Sequence, residues 1–316
     1  MKFGLHLGTR GAAAKTDGLR ALAQKADELG YAYLGISDHI IIAHEIDPKY
    51  PYSDDGNWPG LDTGDCLDQI TCLTYAAAVT EKIRLLTSVM VIPHRPAIQT
   101  AKQLATADLL SKGRVTAGVG VGWMREELAL LSAPPFERRG AASNEYIEAF
   151  KTLWTKKAPV YDGEFVSFKN VSFEPKPAQA GGPPIWIGGE GMAARKRTAR
   201  LGDGWYPVMR NPRHMMDAPN KFAAALADIH KFSEEAGRDP AEIDTAMFAP
   251  TYKLTAEAGG ADRWSFSGSA EQIAEDAHAY AEAGLNTVLI GFEDSDLQRS
   301  LDTIEAFATE VMPLVS

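Results

Sequence analysis

Apolar residues recur along the chain in short dense runs, separated by longer stretches in which apolar and polar positions alternate with a helical period. The dense runs lie at 2–7, 33–37, 83–91, 115–120, 184–188, 204–208, 243–250 and 287–292. Each is short and almost wholly apolar, as strands buried on both faces should be. Between them, Leu19, Leu22, Ala23, Ala26 and Leu29 fall on one helix face, and Gly30 supplies a stop. Ile98, Ala101, Ala105 and Leu109 repeat the pattern and end at Gly113. Ser269 and Gln272 have the spacing of a capping box that opens a helix running to Gly284. Eight strands, each followed by a helix, predict an α/β fold: one (β/α)8 TIM-like barrel domain spanning residues 1–316. An open doubly wound sheet is the alternative. It is disfavoured because no dinucleotide fingerprint follows the first strand.

Two insertions interrupt the alternation. Residues 41–65, "IIAHEIDPKYPYSDDGNWPGLDTGD", form a long polar loop after the second strand. In a barrel that places it on the C-terminal face, where active sites are built, and a loop of this length is usually functional. Tyr50, Tyr52 and Trp58 within it suit either an apolar pocket wall or simple docking of the loop. Residues 160–177 alternate around Asp162-Gly163 and predict a β-hairpin before the fifth strand. The stretch 253–268 has no assignable pattern.

Composition narrows the function classes. Apolar residues make up 45% and charged residues 23% of 316, with a net charge of −10. That balance argues against a nucleic-acid surface. The basic run Arg195-Lys196-Arg197, with Arg200 nearby, reads as a solvated helix face. No run reaches the roughly 18 apolar residues of a membrane span, and no secretion signal opens the chain. Cys66 and Cys72, expected on one helix and pointing apart, predict no disulfide and a cytoplasmic location. The seven histidines show no metal spacing.

Candidate chemistry clusters at strand ends. In "GISDHIII", Asp38 and His39 end the second strand, where an imidazole can move a proton and a neighbouring carboxylate can orient it or bind substrate. In "TAGVGVGW", Gly118, Gly120 and Gly122 share one strand face and leave a bare strip for a flat ring or a phosphate, unless a helix packs there. Gly188, Gly189 and Gly191 in "IWIGGEGM" precede a helix, and their backbone N–H groups suit a phosphate, with Arg195 adding charge. Thr87-Ser88 suggest a bend facing the pocket. No nucleophile motif is present. With neither nucleophile nor metal, a bound organic cofactor is the source of chemistry.

With these motifs in hand, the chain resembles the luciferase-like monooxygenase superfamily, in particular its coenzyme F420-dependent oxidoreductase branch. The resemblance is carried in order by "GISDHIII", "IRLLTSVMVIPHRPAIQTAKQLATADLLSKGR", "AGVGVGWMREEL", "EYIEAFKTLWT", "PPIWIGG" and "RLGDGWYP". It implies a TIM-like barrel that binds F420 or FMN at its C-terminal end. It makes His39 the catalytic residue and Asp38 a cofactor contact beside it. It places a non-proline cis peptide at Ser88–Val89 under the ring, and the strip through Gly120 and Gly122 to Trp123 along the ribityl chain. Gly188, Gly189 and Gly191 become the phosphate cradle. One departure stands out. Relatives acting on a sugar phosphate carry an acidic glutamate where this chain has Trp123, and the nearest acids here are Glu126 and Glu127. The activity implied is F420-dependent hydride transfer with a small organic substrate. The alternatives are an FMN-dependent monooxygenase fed by a separate reductase and a flavin binder without turnover. The resemblance also implies a homodimer.

Overall fold

The eight strand runs close into a ring. The structure, a computed structural model, describes residues 1–15, 17–47, 50–53, 56–58, 64–260, 262–291 and 294–315. The barrel strands are β1 (Lys2–Leu7), β2 (Tyr33–Ile36), β3 (Arg84–Thr87), β4 (Val115–Gly120), β5 (Ile185–Gly188), β6 (Gly204–Tyr206), β7 (Asp244–Ala249) and β8 (Thr287–Gly291). Each pairs in parallel with the next. The ring shuts where Phe3 meets Val288 and Leu5 meets Ile290. All strands therefore point the same way, and every strand-to-helix loop lies on one rim.

The helices between them are α1 (Gly18–Glu28), α2 (Gln69–Val79), α3 (Ala97–Leu110), α4 (Arg125–Leu130), α5 (Arg139–Thr155), α6 (Met192–Leu201), α7 (Pro219–Glu235), α8 (Ala270–Glu282) and α9 (Leu297–Ala306). Their starts follow local chemistry. Asp68 caps α2 by accepting from Thr71 N, and Ser269 and Gln272 form the expected capping box of α8. The stops at Gly30 and Gly113 take positive φ, as a helix end demands. The main core lies between the barrel and its helices. A smaller cluster of Tyr33, Leu86, Trp186, Tyr206, Ala246 and Leu289 fills the barrel interior. Gly204 has no side chain because its Cβ would strike the Trp186 indole.

Several expectations need correction. The 83–91 run is two pieces, β3 and a short Met90–Val91 strand, parted at Ser88–Val89, where the peptide is cis. The 204–208 run stops at Tyr206, and Val208 makes only an isolated bridge to Phe248. The buried face of α3 is Ala97, Ala101, Leu104 and Ala105, whereas Ile98 and Leu109 face outward. Cys66 precedes α2 and only Cys72 is helical; both are free thiols. The 160–177 hairpin is present, pairing Tyr161–Asp162 with Ser167–Phe168. The unassigned stretch supplies a two-residue parallel pairing of Lys253–Leu254 with Ser267–Gly268. Among the described residues no helix is long and apolar enough to cross a membrane.

Candidate active site

A cavity of about 700 Å³ opens at the C-terminal ends of the barrel strands. His39 reaches it directly after β2, Ser88 and Val89 after β3, and Gly120, Gly122 and Trp123 at the end of β4. Gly188 and Gly189 bound it after β5. Gly191 stands outside this lining. It is the N-cap residue of α6, beside the His214 ring.

The glycines divide by task. A Cβ on Gly120 would come within 2.9 Å of Val89 Cγ2, and one on Gly188 within 3.0 Å of Val89 Cγ1. Their absence lets Val89 rise between β4 and β5 at the cavity floor. Gly122 makes room for Val91 and Gly189 takes a φ of +106°, which only glycine adopts freely. Gly118 serves backbone packing, since its Cβ would fall on the Thr87 carbonyl.

His39 is anchored by a residue 88 positions away. Its Nδ1–H donates to Glu127 Oε2 at 2.7 Å. The other oxygen, Oε1, accepts from Ile40 N at 2.7 Å and Ile41 N at 3.2 Å. Next to it, Glu126 Oε1 accepts from Asp47 N at 2.9 Å. Burial alone would raise the Glu127 carboxyl, but the bond from His39, the nearby His94 and the Ile40 N–H outweigh it and hold the group below its usual range. An ionised Glu127 fixes the proton on Nδ1, so Nε2 is the nitrogen available to a ligand.

Asp38 lines the cavity, but its carboxylate is committed to structure rather than to His39. Its side chain is fully buried and accepts from Val91 N, Arg95 Nη1 and Arg95 Nη2, each at 2.9 Å. Arg95 also bridges to Asp68 at 2.8 Å. Asp38 therefore ties the end of β2 to the segment after β3, and only its backbone faces the cavity. Glu127 orients the imidazole instead. Arg195 is likewise committed, to Asp228 at 2.6 Å and to the Glu190 carbonyl. Arg197 bonds Asn144 and the Gly140 carbonyl, so the basic run is only partly a solvated face.

Sequence reasoning passed over several site residues. His94 lies buried with Nε2 3.6 Å from Glu127 Oε2 and Nδ1 3.9 Å from Asp38 Oδ2. These separations exceed hydrogen-bond length. Burial lowers His94 below its usual range, although both carboxylates oppose it. Ser88 Oγ and the Tyr206 hydroxyl share a 2.8 Å bond beneath the cavity, and His6 donates to the Ser88 carbonyl at 3.3 Å. Glu190 is buried between two glycines, where Val208 N and Asn211 Nδ2 donate to its oxygens. Burial nevertheless raises its carboxyl. Only the "PHRP" stretch carries a local signal, an uncommon pair of basic residues between prolines.

Rings close the cavity above His39. Trp58 lies 4.6 Å from the imidazole and Trp123 6.3 Å from it, centroid to centroid. Tyr50 meets Trp123 at 5.2 Å and Tyr52 at 5.5 Å. The described part of the 41–65 loop thus lines the site, while residues 48–49, 54–55 and 59–63 lie outside the described set. Among the described residues no group of three or more His, Cys, Asp or Glu side chains is placed to hold a metal.

A parallel barrel with a large ring-lined mouth, a floor where glycines flank Val89, and a helix N-terminus beside paired glycines leaves room for a flat ligand at the C-terminal rim. The floor is compatible with a flat cofactor ring, because Val89 takes the Cβ space at Gly120 and Gly188 and no side chain rises from either glycine into the cavity. The family model for luciferase-like monooxygenases matches residues 1–258, and the chain belongs to that family. An uncharacterized protein of Mycobacterium tuberculosis is 35% identical over 267 residues, covering 83% of this chain and 90% of that protein. The FMNH(2)-dependent dimethylsulfone monooxygenase of Pseudomonas putida is 28% identical over 339 residues, covering 94% of this chain and 87% of its own. An F420-dependent secondary alcohol dehydrogenase, solved with an F420-acetone adduct, shares the fold with a TM-score of 0.77. Its identity is 18%, covering 100% of this chain and 99% of that one.

Proposed function

We propose that this protein is an F420-dependent oxidoreductase that interconverts an alcohol and a carbonyl compound. The observation that carries the reading is the His39–Glu127 pair at 2.7 Å on the wall of a ring-lined cavity. When bound, the deazaflavin supplies hydride transfer at its C5 carbon, chemistry no side chain here offers. Val89, Gly120, Gly122 and Trp123 would hold its ring system, with the Asp38 backbone and Ser88 beside them. Gly188, Gly189 and Gly191 would hold its phosphate at the start of α6. His39 Nε2 takes the proton of the substrate hydroxyl, or returns it to a carbonyl oxygen. Glu127 stabilises the imidazolium and keeps the ring aimed. Trp58, Trp123 and Tyr50 exclude water and strengthen that pair.

A second reading is favoured by the Pseudomonas relative, which matches nearly the whole chain. There the cofactor is reduced FMN from a separate reductase, and the substrate is oxygenated. Titration of the purified protein against F420 and FMN, followed by fluorescence, separates the two. The expected result is micromolar or tighter binding of F420 and much weaker binding of FMN. Preference for reduced FMN, with oxygen uptake, would replace the first reading by the second. His39→Ala tests turnover itself. It should lower kcat by about 10²–10⁴-fold and leave cofactor affinity unchanged, whereas a simple flavin carrier would show no activity to lose.

A further inference from the structure

The ring wall does not end at the main cavity. From His39 it runs through Trp58, Trp123 and Tyr50 to Tyr52, with successive centroids 4.6, 6.5, 5.2 and 5.5 Å apart. Tyr52 also lines a second chamber of about 470 Å³, whose other walls include Pro212, Met215, Pro250 and Trp264. Tyr52, Ser53, Arg210 and Pro250 border both chambers, so the two adjoin. Burial raises the Tyr52 phenol well above the usual range.

Thr9, Arg10, Ser37, Ser53 and Asp65 also line the cavity, but the walls against His39 itself are the rings of Trp58 and Trp123. Indole offers one donor and no acceptor, so several sugar hydroxyls placed here would lose water without replacement. The two arginines lie against ring faces: Arg10 over Trp58 at 5.7 Å and Arg210 over Trp264 at 3.7 Å. Asp38 is sequestered by Arg95. Apolar area is what these rings reward, because burying it removes it from water.

Resting on the oxidoreductase reading above, we infer that the substrate is a bulky, uncharged, apolar alcohol or ketone. Its reacting oxygen lies at His39, and its body extends along the ring wall into the second chamber. Trp264 is then a specificity-determining residue, although it is remote from the chemistry. A one-ring ketone fills only the inner part of this path; a fused two-ring ketone reaches further and gains affinity.

The test uses ketone quenching of intrinsic tryptophan fluorescence, since Trp58, Trp123 and Trp264 all line the path. The probes are trans-2-decalone, cyclohexanone and glucose 6-phosphate, titrated with and without oxidised F420. Decalone should bind about tenfold or more tighter than cyclohexanone. Glucose 6-phosphate should not displace it. Trp264→Ala should cut the decalone-to-cyclohexanone ratio at least about fivefold, by lost contact area. Trp264 is 40% exposed, so this variant should fold, as circular dichroism would show. Equal affinity for the two ketones, a ratio untouched by Trp264→Ala, or displacement by the sugar phosphate would overturn the inference. The two levels fail separately. Decalone binding without F420 binding removes the cofactor assignment, and F420 binding without decalone preference removes only the substrate class.

Discussion

Glu127 uses its two oxygens for two purposes, one for the imidazole and one for the backbone of Ile40 and Ile41. Glu127→Gln keeps the size but offers one oxygen acceptor and one NH2 donor. If the amide oxygen stays on the backbone N–H groups, the NH2 faces His39 Nδ1 and forces that nitrogen to accept. The ring proton then moves to Nε2, and the base facing the cavity is lost. A wrong-tautomer defect of this kind costs on the order of 10²–10⁴ in kcat. F420 affinity should stay within about threefold (~0.7 kcal/mol), and the ¹⁵N shifts of the His39 ring should exchange. Equal losses in rate and cofactor affinity would instead place Glu127 in the cradle. The place of His39 at the cavity was legible from sequence because it ends a strand inside a recognisable motif. Its partner was not, because 88 residues separate the two and only the closed barrel brings α4 against the end of β2. Asp38 misled for a related reason: adjacency suggested a partner for His39, whereas the carboxylate turns to Arg95, 57 positions on.

At the scale of elements, the β4 glycines read as one strip but act as two devices. Gly118 permits contact with Thr87, whose hydroxyl donates to the Gly118 carbonyl at 2.7 Å. Gly118→Ala pushes a methyl group into backbone that cannot yield. It should cost about 1–3 kcal/mol or more by chemical denaturation. Gly120→Ala meets only the Val89 side chain, which can rotate. Its stability loss should be smaller, while the displaced valine should weaken F420 binding by about tenfold (~1.4 kcal/mol). If the two variants behave alike, the division of labour is wrong. Strand existence was plain in the apolar runs, since burial on both faces leaves little other choice. The break between Thr87 and Met90 was only hinted at by the small polar pair Thr87-Ser88, and the family resemblance alone marked the Ser88–Val89 peptide. The α3 stripe was half right: Ala101 and Ala105 are buried, but the face turns toward Ala97 and Leu104, and Ile98 and Leu109 face outward.

Over the whole molecule, one device recurs on opposite rims. Asp27, in α1 at the N-terminal face of the strands, accepts from the backbone N–H groups of Glu81, Lys82 and Ile83. Burial would raise this carboxyl, but those three donors and Arg114 prevail and lower it. A lowered acid contributes stability above its unfolded value of about 3.9 and loses it as pH falls through the folded value. Asp27→Asn should therefore lower Tm at neutral pH, by roughly 2–4 °C for each kcal/mol lost. The gap to wild type should narrow below about pH 4, and F420 affinity should not change. A constant gap across that range would mean the loss is not electrostatic. On the opposite rim, Glu126 and Glu127 seat the root of the 41–65 loop in the same manner, by carboxylate to backbone. Those contacts ask nothing of the side chains at positions 40, 41 and 47. The loop can be rewritten residue by residue, or exchanged for a relative's, and still find its seat if the backbone path is kept. Recognition can therefore drift, by evolution or by an engineer's hand, without disturbing the barrel beneath it.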